Sequence, residues 1–126
     1  MTDKLLLVDD DELLLACMQR ILRSHFVVDT ALGPSAALDA VANSGPYSVV
    51  ISDMRMPGLN GVQLLVKVKA LAPKTVGMIL SGNLQDVEAE PLYHDVVFRI
   101  LEKPCPPQQL VDYLKEAFTH HKASAG

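Results

Sequence analysis

The sequence predicts an α/β domain built on a doubly wound, five-stranded parallel sheet with helices on both faces. Two patterns and the size of the chain carry this. Short apolar runs rich in β-branched residues alternate with longer stretches of helical period, the signature of repeated strand-helix units. The runs are too continuously apolar for strands wetted on one side, so they belong in a sheet covered on both. A chain of 126 residues, 49% hydrophobic and 21% charged, suffices for one core without disulfides.

The first strand is expected from Lys4 to Val8, followed by a helix from Asp11 to about Ser24. Leu13, Leu14, Cys17, Met18, Ile21 and Leu22 fall on one face of that helix, which is predicted to point at the sheet. Strand two runs from Phe26 to Ala31; Pro34 then opens a second helix at a position where the first turn tolerates it, and Asn43-Ser44-Gly45-Pro46 closes it. Strand three covers Ser48 to Ser52, and the third helix starts near Gly61 and must end before Pro73. Strand four covers Thr75 to Leu80. The fourth helix, Leu84 to Tyr93, contains Pro91 and a polar surface, so it is expected to be short and mobile. Strand five is expected over Val96 to Leu101, and the last helix follows Pro106-Pro107 with Leu110, Leu114 and Phe118 as its docking stripe.

Composition excludes several classes. The net charge is −4 with the cations scattered, which leaves no basic face for nucleic acid. No apolar run reaches the roughly 20 residues of a membrane span, and the N-terminus lacks a secretory pattern, so a cytoplasmic protein is expected. Cys17 and Cys105 have no metal-ligand spacing and are read as reduced thiols.

Ligands of open parallel sheets bind beyond the carboxyl ends of the strands, so the polar residues that close each apolar run hold the chemistry. Strand one ends in Asp9-Asp10-Asp11, strand three in Asp53, strand four in Ser81 and strand five in Lys103. Asp11 is read as a helix cap. The other carboxylates would repel one another unless a cation sat among them, and an all-oxygen set that must also accept phosphate oxygens suits Mg2+. Lys103 adds a mobile positive charge and Ser81 a hydroxyl donor, both suited to a phosphoryl group. Each residue alone has a duller explanation as a cap, a turn or a strand end. Their convergence on one sheet edge favours phosphoryl transfer to a carboxylate.

Over nearly its whole length the chain also resembles the receiver domains of bacterial response regulators. The segments LLLVDDDE, ISDMRMPGLNG, ILSGN and LEKPCPP match that family's acidic opening, acceptor loop, hydroxyl-bearing strand end and lysine-proline element, in order. The resemblance implies a flavodoxin-like receiver fold of strand order 2-1-3-4-5, with residues 1–122 as the domain and 123–126 as a polar tail. It implies that Asp53 is phosphorylated from a histidine kinase or phosphotransfer protein, with Mg2+ bound by Asp9, Asp10, Asp53 and the backbone carbonyl of Arg55. It further implies that Lys103 pairs with the phosphate and that its bond to Pro104 is cis, that Ser81 moves as a switch, and that a downstream output domain or protein reads the change. The family's switch aromatic is replaced here by Ile100. By two-residue alternation Phe98 is expected on the same strand face and to share that role. Arg55 and Asn83 fall at positions that tune phosphate lifetime, and Arg55 is expected to lengthen it by screening the attacking water.

Three rivals stand beside this reading. A magnesium phosphohydrolase would need a second acid beside Asp53 and a cap for substrate, and a flavodoxin-like electron carrier would not place Asp9-Asp10-Asp11 where a flavin phosphate sits. A degenerate receiver acting by contact alone is opposed by the intact acidic pair, acceptor, hydroxyl and lysine.

Overall fold

Successive residues of a strand face opposite sides of its sheet. In β1 (Lys4–Asp9) both sets are apolar: Leu5 and Leu7 join one buried cluster, Leu6 and Val8 another. The same division runs through β3 (Val49–Asp53) and β4 (Val76–Ser81), so two separate cores form, one on each side of the sheet. The computed structural model describes residues 4–125. With β2 (Val27–Leu32) and β5 (Arg99–Glu102) it forms a five-stranded, all-parallel sheet of order β2-β1-β3-β4-β5.

One core lies under α1 (Glu12–Leu22) and α6 (Pro107–Ala125), where Leu15, Met18 and Leu22 meet Leu110, Leu114 and Phe118. The other lies under α2 (Pro34–Asn43), α3 (Gly61–Leu71) and α4 (Leu84–Glu88), with α5 (Tyr93–Val96) at its edge. Local chemistry sets the helix starts. Asp11 caps α1 by accepting from the amides of Leu13 and Leu14. Asn60 and Gln63 form a reciprocal capping box on α3. Gly58, at φ +91, supplies the left-handed residue after Pro57 that turns the chain from β3 towards α3.

Three expectations are corrected. The buried face of α1 is Leu15, Met18 and Leu22, while Leu13 is 83% exposed and Cys17 is exposed, because three consecutive leucines let the helical phase be drawn two ways. The fourth helix breaks at Pro91 into α4 and α5, and α5 takes up Val96, so β5 starts at Arg99 rather than Val96. Phe98 therefore precedes the regular strand and does not share a face with Ile100. It packs on the α1/α6 core and stacks on His120, ring centroids 4.6 Å apart, whereas Ile100 packs on the α3 side. Helix α6 runs to Ala125, taking in residues 123–125 of the expected polar tail, and Gly126 lies outside the described residues. Among the described residues no helix is long and apolar enough to cross a membrane.

Candidate functional site

Strand order reverses direction between β1 and β3, and the crevice at such a switch point is where this architecture collects ligands. Register brings the strand ends level. Val8 pairs with Ser52, Asp53 with Leu80 and Ser81 with Glu102, and the Lys103 amide donates to Ser81 O at 2.9 Å. Asp9, Asp10, Asp53, Ser81 and Lys103 are thereby drawn to one edge from four strands.

Carboxylate oxygens of Asp9, Asp10 and Asp53 lie within 4.8 Å of one another. Asp9 is buried, Asp53 half-buried and Asp10 exposed, a gradient from the sheet interior to solvent. Burial pushes the Asp9 carboxyl up to about 6, the Asp11 amide opposes that by donating to Asp9 Oδ1 at 3.0 Å, and the negative charge of Asp53 adds to the rise. Lys103 Nζ donates to Asp53 Oδ1 at 2.6 Å, and its bond to Pro104 is cis, as expected. Three carboxylates thus face one ammonium, and every donor is a hard oxygen. The set fits a divalent cation of the magnesium kind and gives no soft ligand to zinc or copper.

Beside the carboxylate cluster, Asp53, Met54, Arg55, Ser81, Gly82, Asn83 and Lys103 line a cleft of about 330 Å³. Its hydroxyl is engaged within the turn: Ser81 Oγ donates to Asn83 O at 2.9 Å and accepts from Asn83 N at 3.0 Å. Asn83 in turn caps α4, its side chain accepting from Gln85 N at 2.9 Å. Gly61, at the start of α3, lets that helix close on β3. A methyl carbon at Gly61 would stand 2.6 Å from Asp53 O and 2.7 Å from Ile79 Cδ1.

Residues 5–115 match the protein family described as the response regulator receiver domain. The chain belongs to that family. Over 123 residues, 94% of this receiver and 33% of its relative, it is 30% identical to the uncharacterized transcriptional regulatory protein YesN of Bacillus subtilis. It is 29% identical to the DNA-binding transcriptional regulator NtrC of Escherichia coli over 116 residues, 91% of this chain and 24% of the other. The receiver spans about a third or less of the curated relatives it matches. Among solved structures, one described as adenylate cyclase from Rhodopirellula baltica superposes with a TM-score of 0.92 at 32% identity, covering 99% of this chain and 93% of that one. A response regulator receiver domain protein from Clostridium thermocellum gives 0.86 at 28% identity, covering 96% and 98%. The doubly wound order and the family match make this a receiver domain of two-component signalling.

The receiver's site brings together Asp9, Asp10, Asp53, Ser81 and Lys103 as the sequence places them, and leaves Phe98 outside on the other sheet face. Arg55 lines the cleft, but its guanidinium donates to Asp86, which in the sequence is only one of several polar residues on the fourth helix. Nothing in the sequence links two residues 31 apart in this way. The sequence marks Gly61 only as a helix start, and its close approach to Asp53 arises only once α3 packs on β3.

Proposed function

We propose that Asp53 accepts a phosphoryl group from a phosphohistidine of a histidine kinase or phosphotransfer protein, and that the phosphorylated domain alters its fit to a downstream output domain or protein. The observation that carries this is the approach of Asp9, Asp10 and Asp53 to within 4.8 Å with Lys103 Nζ on the acceptor itself. Asp9, Asp10, Asp53 and the backbone carbonyl of Arg55 would hold Mg2+, which supplies charge neutralisation to the phosphoryl oxygens when bound. As the phosphorus–nitrogen bond of the donor imidazole breaks, a carboxylate oxygen of Asp53 forms the new phosphorus–oxygen bond and the imidazole nitrogen keeps the electron pair. Lys103 already offsets the negative charge that would otherwise repel an incoming phosphoryl group.

The domain works on itself alone, positioning the groups for transfer and for later hydrolysis, and the reduced thiols Cys17 and Cys105 accord with a cytoplasmic setting. Ser81 would leave Asn83 for a phosphoryl oxygen, and Ile100, packed on the α3 side of the sheet, would adjust behind it. Incubation with acetyl phosphate and magnesium, followed by intact-mass spectrometry, tests the assignment. Wild type should gain one phosphoryl group and Asp53→Asn none. Equal labelling of the variant would refute it.

A further inference from the structure

Arg55 stands two residues beyond Asp53 and lines its cleft, yet its guanidinium is held elsewhere. Nε donates to Asp86 Oδ2 at 2.8 Å, and Nη2 donates to the same oxygen. Asp86 belongs to the first turn of α4, so the pair ties the loop after the acceptor to the helix after Ser81. It spans a groove lined by Met54, Met56, Pro57, Ala89 and Glu90. The pair is poorly placed to hold the fold together: the side chains are 77% and 32% exposed, and exposed ion pairs add little stability. What it does fix is the position of the arginine on the cleft wall.

We propose that Asp86 is a positioning residue that sets the lifetime of phosphorylated Asp53 by keeping Arg55 away from the phosphoryl group, an inference that rests on Asp53 being the acceptor. A guanidinium has a planar fork of donors that suits phosphoryl oxygens at least as well as a carboxylate. Asp86 and the phosphoryl group therefore compete for one cation. While Asp86 holds it, water approaches the phosphorus from the open side of the cleft. Once released, Arg55 lies over the phosphoryl oxygens and obstructs that approach, so loss of Asp86 slows hydrolysis. An exposed pair of this kind supports a change of about two- to fivefold in lifetime. Glu90 lines the same groove and would offer the freed guanidinium a second carboxylate, so it is neutralised in the same variant.

The test follows decay of the phosphoprotein by intact-mass spectrometry after loading with acetyl phosphate and magnesium and then removing the acetyl phosphate while keeping the magnesium. Asp86→Asn/Glu90→Gln should lengthen the lifetime about two- to fivefold, and Asp86→Glu, which keeps the charge, should restore the wild-type value. The same double substitution made on Arg55→Ala should change nothing. An unchanged or shortened lifetime overturns the proposal. So does an equal lengthening without Arg55, which would make Asp86 a brace of α4. Failure of wild type to take up phosphate would instead overturn the reading of Asp53.

Discussion

Replacing Asp9 by asparagine should make the metal-free domain more stable. Asp9 is 3% exposed, and burial, reinforced by Asp53, lifts its carboxyl from 3.8 to about 6 against the pull of the Asp11 amide and Lys103. A folded-state value above the unfolded one means that the folded chain binds the proton more tightly. The stability contributed by that proton is complete below about 3.8 and is lost as pH rises through about 6. Above that range the folded state holds an ionised carboxylate where its surroundings oppose it. At about 1.36 kcal/mol for each tenfold gain in proton affinity, the cost at neutral pH is roughly 3 kcal/mol. Asparagine retains an acceptor for the Asp11 amide and removes the charge. In urea titrations with a chelator at about pH 7.5, the midpoint of Asp9→Asn should exceed that of wild type by about 1 M or more, given slopes of about 1–3 kcal/mol/M. The difference should roughly halve by about pH 5. Added magnesium should then favour wild type, which keeps the full set of carboxylates, over the variant. A variant no more stable than wild type at neutral pH, or a difference that ignores pH, would refute this account of the acidic cluster.

The close approach of Gly61 makes Gly61→Ala costly by about 1–3 kcal/mol through overpacking against Asp53 O and Ile79, with slower phosphorylation by acetyl phosphate because Asp53, the proposed acceptor, is displaced. Leu15→Ala should lower stability by about 2–5 kcal/mol, while Leu13→Ala should change it by no more than about 0.5 kcal/mol; paired urea curves decide whether the face of α1 is assigned correctly. Tyr47 is buried and donates to Asp29 Oδ2 at 2.6 Å, which together with burial pushes its phenol upward. Tyr47→Phe should therefore cost about 1 kcal/mol, measured the same way, and an unaltered midpoint would show the bond to be dispensable.

The sheet and the acidic site are legible because both are written in local pattern. Continuous apolar runs announce strands covered on both sides, and polar residues at their carboxyl ends announce the site. What resists reading depends on contacts remote in sequence or on phase. Leu13-Leu14-Leu15 has no polar residue to fix which leucine turns inward, and only the packing of α1 on the sheet, which buries Leu15, decides it. Placing Phe98 beside Ile100 extends the strand backwards over the link between α5 and β5, and the alternation rule fails outside the regular strand. The Arg55–Asp86 pair joins the loop after β3 to the first turn of α4, which meet only once β3 and β4 are side by side. Gly61 looks like any glycine opening a helix until Asp53 O is found against it.

The two hydrogen bonds between Ser81 Oγ and the Asn83 backbone bear on how sharply such a domain can switch. A hydroxyl already satisfied in its turn gains from a new acceptor only the difference between the two arrangements, and that difference is on the order of 1 kcal/mol. Moving an equilibrium from 1:99 to 99:1 takes about 5.5 kcal/mol. If Ser81 switches as proposed, it alone would bias two populations rather than select one. A complete response would draw on several such exchanges at once, with a downstream partner that binds the minor form supplying part of the remainder.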